Sequence, residues 1–196
     1  MVPRVTNVLQ TLNRPTLTAW RAARGAAIAD QIMADAAHTG TRVHSMIESF
    51  HLSGARPLSN SPRAQAMADN YVQWFEAEPR AVITAERAVS GVSSRGLAYR
   101  GTLDAIIRDA NGRLILLDIK TGNYMSVTYN LQTAAYARIC GYDITERVVI
   151  QTSVSGLTAH TVTTSLSDDL SAFDGLLDVY MYLYNIGQID DDGMLI

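Results

Sequence analysis

Gly101-Thr102-Leu103-Asp104-Ala105-Ile106-Ile107-Arg108, a turn at Asp109-Ala110-Asn111-Gly112, then Arg113-Leu114-Ile115-Leu116-Leu117-Asp118-Ile119-Lys120: this stretch decides the fold. Two β-rich apolar runs flank an Asn-Gly pair, which is a hairpin signal. A two-residue Asn111-Gly112 loop pairs position 110 with 113 and sets Asp104 opposite Ile119. A three-residue loop, Ala110-Asn111-Gly112, pairs 109 with 113 and sets Asp104 opposite Asp118. The longer loop wants glycine at its last, left-handed position, and Gly112 is there. The sequence therefore predicts the three-residue loop, with two carboxylates meeting across the strand pair.

Period two also places Asp118 and Lys120 on the same side of their strand. Lys120 is the only lysine among 16 basic residues; the other fifteen are arginine. An ammonium is a compact point charge with three donors, where a guanidinium is a planar fork. Charges within an apolar strand are costly unless they are paired or hold something. Two facing carboxylates repel unless a cation lies between them. Asp104, Asp118 and the Ile119 carbonyl are hard oxygen donors suited to Mg²⁺ or Mn²⁺. With Lys120 pointing the same way, near a water or a phosphate oxygen, this is equipment for metal-assisted phosphodiester hydrolysis. The competing reading is a surface hairpin with solvated charges. It accounts for Asp104 alone, but not for Asp118 and Lys120 inside an apolar run.

Upstream, Ala81 to Ser90 reads as a further strand, which completes a three-strand meander with Ala98–Arg108 and Arg113–Ile119. Pro15 opens a helix running to about Ala36. Gly40 and Thr41 precede a second helix, with Val43, His44, Ile47 and Phe50, that ends near Gly54. Ser61-Pro62 caps a third, which passes Tyr71, Trp74 and Phe75 and stops before Pro79. Downstream, Tyr129 to Ile139 reads as a helix, and Arg147–Val154 and Leu157–Thr164 as strands. The last helix, Asp168 to Ile186, carries Leu170, Phe173, Leu177, Tyr180 and Tyr184 on one stripe. This order predicts an α/β sandwich around a mixed sheet. No repeat, low-complexity tract or Pro/Gly linker divides the 196 residues, so a single domain over 1–196 is expected.

Two helical pairs lie near this frame. His44 and Glu48 are one turn apart and share a helix face. Alone, a histidine on an apolar helix is more often a core or capping residue than a ligand. Gln132 and Tyr136 are also one turn apart, and spacing alone fits a partly exposed helix face.

Composition bounds the setting. With 47% hydrophobic residues the chain can bury a real core, yet no apolar run is long enough to span a membrane. The first residues lack the apolar stretch of a secretory signal. Cys140 is the only cysteine, which excludes a disulfide framework and fits a reducing, cytoplasmic location. The net charge is -3, but from Asp168 onward there are seven acidic residues and no basic one. The rest carries 16 basic and 12 acidic residues, with Arg4, Arg14, Arg21, Arg24, Arg42, Arg56 and Arg63 in the first third. A local positive surface beside an acidic tail, Asp190-Asp191-Asp192, is compatible with a polyanion partner without identifying one.

Four short motifs occur in order: Gly40-Thr41-Arg42-Val43-His44, Gly101-Thr102-Leu103-Asp104, Asp118-Ile119-Lys120 and Gln132-Thr133-Ala134-Ala135-Tyr136. Together they resemble the PD-(D/E)XK nuclease superfamily, in particular its RecB-like branch and phage-encoded exonucleases. Val5-Thr6-Asn7-Val8-Leu9, with Leu17 to Trp20 after it, is similar to the N-terminal segment of phage members. The resemblance spans roughly residues 5 to 140 and implies a restriction-endonuclease-like core. It implies that His44, Asp104, Asp118 and the Ile119 carbonyl bind Mg²⁺ or Mn²⁺. Catalysis would rest on Asp104, Asp118 and Lys120, with Lys120 orienting the water and stabilising charge on phosphorus. Gln132 and Tyr136 would shape the site and contact DNA. Glu86 occupies a position often acidic in the family. Some RecB-like relatives hold an iron–sulfur cluster on four cysteines, which this chain cannot do. The implied activity is a DNA exonuclease in replication, recombination or repair, working on DNA with a partner recombination protein or as a homo-oligomer. The alternatives are a structure- or sequence-specific endonuclease on the same fold, or a non-catalytic DNA-binding or assembly module.

Overall fold

The computed structural model describes residues 1–12, 15–122 and 124–190. Asp191 and Asp192 of the acidic tail lie outside them. The elements are α1 (Val5–Leu9), α2 (Pro15–Arg24), α3 (Ala26–Ser53), α4 (Pro62–Glu76), β1 (Arg80–Val92), β2 (Ala98–Asp109) and β3 (Leu114–Thr121). They continue with α5 (Thr128–Ile139), β4 (Glu146–Ser153), β5 (Gly156–Thr161) and α6 (Leu166–Asn185).

The strands form one five-stranded sheet in the order β1-β2-β3-β4-β5. The pairs β1–β2, β2–β3 and β4–β5 are antiparallel. β3 and β4 are parallel, because α5 crosses between them as parallel neighbours require. One face carries α3 and α4, whose Val43, Ile47, Phe50, Met67, Tyr71 and Phe75 pack with Ala105, Leu117, Ile119 and Ile150. The other carries α1, α5 and α6, whose Val8, Leu131, Phe173, Leu177 and Tyr180 pack with Leu103, Ile106 and Leu116. β3 is covered on both faces, which is why it reads as a continuous apolar run rather than an alternating one.

The hairpin has the predicted three-residue loop. Arg108 pairs with Leu114 and Ala105 with Leu117, the Asp109 amide donates to the Arg113 carbonyl at 3.1 Å, and Gly112 has φ of 82°. Asp109 stiffens the turn: its Oδ1 accepts from the amides of Asn111 and Arg113, both at 2.9 Å. The Ser61 cap is also present, its hydroxyl accepting from the Ala64 amide.

The N-terminal helices depart from expectation. The break lies at Gly25, with φ of 80°, not near Ala36, and α3 runs without interruption through Gly40. Glycine interrupts a helix when the backbone turns left-handed, as at Gly25 and Gly54. At Gly40 the missing side chain serves packing instead. A Cβ there would lie 2.9 Å from Thr121 Oγ1, so glycine lets α3 approach the end of β3. The opening segment Val5–Leu9 forms a short helix whose Val5, Val8 and Leu9 are buried.

Candidate active site

The ladder between β2 and β3 stops at Ala105–Leu117. Asp104 and Asp118 are the next pair in that register, and here the strands give up backbone pairing. Asp104 replaces the missing ladder bond with its side chain: Oδ2 accepts from the Ile119 amide at 2.5 Å. The two carboxylates, next to each other in the register and close enough for Asp118 to push the Asp104 carboxyl up, have different hydrogen-bond partners.

Asp104 joins a donor set. His44 Nδ1 lies 3.6 Å from Asp104 Oδ1 and 3.6 Å from Glu86 Oε1, and one ligand atom from each of the three lies within 4.8 Å of the others. Three elements supply them. His44 comes from α3, one turn past Gly40. Asp104 comes from β2. Glu86 comes from β1, between the pairs Ala85–Ala105 and Arg87–Leu103, with φ of 44°. A non-glycine residue held left-handed stores strain that the surrounding structure must sustain, and such residues cluster at functional sites. Neither Glu48 nor Asp118 belongs to this set among the described residues.

Asp118 pairs instead with Lys120, as the strand period required. The Lys120 ammonium donates to Asp118 Oδ1 at 2.9 Å and lies 2.9 Å from Oδ2 as well. Oδ2 is buried and accepts no hydrogen bond among the described residues. The ammonium also donates to Gln132 Oε1 at 3.3 Å and sits 4.9 Å from the centre of the Tyr129 ring. Tyr129 went unnoticed in the sequence, although it lies one turn before Gln132 and so on the same helix face. Tyr136 is buried, its hydroxyl supported by Gln132 and the Thr102 backbone. A Cβ at Gly101 would lie 2.6 Å from Tyr136 Cε1, so the glycine of the Gly-x-x-Asp motif makes room for the tyrosine of the Gln-x-x-x-Tyr motif.

The charges are strongly coupled to burial. Burial pushes the Asp104 carboxyl up to about 6; His44 opposes this and Asp118 adds to it. Burial also raises Asp118, against the pull of Lys120. For His44, burial lowers the imidazole, but the hydrogen bond to Glu86 and the charges of Asp104 and Glu86 outweigh it, leaving a net rise. Burial likewise lowers Lys120, and Asp118 and Asp104 outweigh it. By contrast His51, two turns along α3, packs among aromatic rings with Nε2 2.8 Å from the Tyr71 hydroxyl, and burial lowers it to about 4.

These residues fit a divalent cation. Two carboxylates and an imidazole converge, and the buried Oδ2 of Asp118, ion-paired with Lys120, accepts no hydrogen bond among the described residues. Oxygen donors with one nitrogen suit Mn²⁺ or Mg²⁺. A neighbouring cleft of about 510 Å³ is lined by Arg4, Thr6, Ser90, Arg100, Thr102 and Tyr136, among others.

Comparison with known proteins agrees with this geometry. The structure is similar to the crystal structure of SSO0001, with a TM-score of 0.51 over 91% of this chain and 76% of that one. At 14% identity that likeness concerns the fold alone. No curated protein matches the chain. Residues 58–146 match the family model of the PD-(D/E)XK nuclease superfamily. That stretch, a little under half of the chain, holds Glu86, Asp104, Asp118, Lys120, Gln132 and Tyr136, and over it the chain is similar to the PD-(D/E)XK nuclease superfamily.

Proposed function

We propose that this protein is a divalent-metal-dependent deoxyribonuclease, acting as an exonuclease in DNA replication, recombination or repair. The observation that carries the reading is the meeting, where β2 and β3 part, of a His44/Glu86/Asp104 donor set and an Asp118–Lys120 pair. His44, Glu86 and Asp104 would hold the cation, with Asp118 and the Ile119 carbonyl as the further oxygen donors that the motif resemblance implies. When bound, the cation supplies a Lewis acid at the scissile phosphate and acidifies a nearby water. Lys120 donates to a phosphate oxygen and stabilises the charge that grows there as water adds to phosphorus and the P–O ester bond breaks. Asp118 and Gln132 hold that ammonium in place. Arg4 and Arg100, in the adjoining cleft, offer cations to the phosphodiester backbone.

The choice of exonuclease rests on the resemblance of the four motifs to RecB-like and phage enzymes. So does the partner recombination protein or homo-oligomeric assembly, while the cytoplasmic location rests on the single cysteine. The test is digestion of end-labelled linear and closed circular DNA, single- and double-stranded, with Mg²⁺, Mn²⁺ or EDTA. Metal-dependent loss of linear DNA only, absent in Lys120→Ala, is expected and gives the polarity. Cleavage of circles would make it an endonuclease. Binding without cleavage under every condition would leave a DNA-binding module.

A further inference from the structure

We propose that Tyr129 is the positioning residue for Lys120, holding the ammonium by the face of its ring so that one N–H remains for substrate. The inference rests on the nuclease reading for what Lys120 does, but not for where it is held. The ammonium has three hydrogens. One goes to the Asp118 carboxylate, whose two oxygens both lie 2.9 Å from the nitrogen while only Oδ1 accepts a hydrogen bond, and one goes to Gln132 Oε1. The Tyr129 ring, 4.9 Å away, attracts the charge as a whole through its quadrupole. It offers no lone pair that would claim the third hydrogen. Two hydrogen bonds and one π face thus fix a long, flexible side chain while leaving a donor uncommitted.

The placement of Tyr129 is local. The β3–α5 connection closes on Ser126, whose carbonyl accepts from the Tyr129 amide at 3.0 Å. Its hydroxyl lies 2.7 Å from that of Thr128. Tyr129 and Gln132 then present a ring and a carbonyl oxygen to the same ammonium. The role asks only for a π face, so phenylalanine should replace tyrosine and an aliphatic side chain should not.

The composition provides a direct probe. Because Lys120 is the sole lysine, isotopically labelled lysine gives a signal from this side chain alone, in metal-free protein. The ε-methylene protons should be shifted by the ring in wild type and in Tyr129→Phe. They should return to the position of a solvated lysine in Tyr129→Leu and in Tyr129→Gln, the second serving if the first fails to fold. On DNA, the Leu and Gln variants should lose about three- to thirty-fold in kcat with KM little changed, while Phe stays within about two-fold. An unshifted wild-type signal, a shift that persists in the folded Leu or Gln variant, or an unchanged kcat there would each overturn the proposal. A wild-type protein that shows the shift yet cleaves no DNA sinks the nuclease reading instead and leaves the contact standing.

Discussion

Asp104→Asn should stabilise the metal-free fold while removing activity. The Asp104 carboxyl is held at about 6 rather than 3.8. At 1.36 kcal/mol per tenfold change, its ionised form is disfavoured by about 3 kcal/mol above pH 6. Asparagine keeps the volume and an oxygen for the Ile119 amide, and removes the charge. The attraction to His44, 3.6 Å away, is already contained in that value; burying the new amide NH₂ offsets part of the relief, so the net gain should be about 1–2 kcal/mol. For a chain of this size that is a rise of roughly 3–6 °C in Tm. The raised carboxyl binds its proton more tightly folded than unfolded. Its penalty is therefore full above about 6, shrinks as pH falls, and is gone below 3.8. The assay is thermal unfolding of both proteins in EDTA across that window, then with Mn²⁺ at neutral pH. Mn²⁺ should raise the wild-type Tm more than that of the variant, since a ligand stabilises only the state it binds. A variant that melts no higher than wild type at neutral pH, or an advantage that does not shrink on acidification, would refute the reasoning.

Further outcomes follow from packing and charge. Gly40→Ala should gain about 1 kcal/mol of helix propensity yet melt lower and bind Mn²⁺ more weakly, because its Cβ meets Thr121 Oγ1 and pushes His44 away; Thr121→Ala in the same chain should restore binding, measured by calorimetry. Gly101→Ala should cost about 1–3 kcal/mol in denaturant unfolding, since its Cβ strikes the Tyr136 ring. Metal affinity should fall as pH drops through about 6, where protons compete for Asp104; a Mn²⁺ titration flat from neutral to acid pH would exclude Asp104 as a ligand. Asp169→Ala should destabilise by about 3–5 kcal/mol, because it strands the buried Arg147 guanidinium bonded at 2.8 Å, and it should leave cleavage by the surviving folded protein unchanged.

What the sequence disclosed was what short-range rules control. The glycine in Ala110-Asn111-Gly112 fixed the hairpin register, and the register located Asp104 and Asp118. Period two brought Lys120 to Asp118. What it withheld depends on residues far apart in the chain. Gly40 looks like a helix break until Thr121 is placed beside it. Glu86 becomes a partner of His44 only through β1–β2 pairing and a left-handed backbone. Asp104 takes the Ile119 amide because the ladder ends one pair before it, and nothing in the apolar runs marks that end. Tyr129 was legible by its spacing from Gln132, but a ring contact with an ammonium has no motif.

α3 is anchored along only part of its length. From Gly40 onward Val43, Met46, Ile47 and Phe50 are buried, whereas between Ala26 and Thr39 only Ala29 is. The outer stretch is steadied by α2, where Arg21 reaches Asp30 at 2.5 Å. Because the helix is continuous but held in the core only beyond Gly40, its outer turns should exchange their amide hydrogens far sooner than the turn that carries His44, and fraying from the outer end should stop before it reaches the donor set.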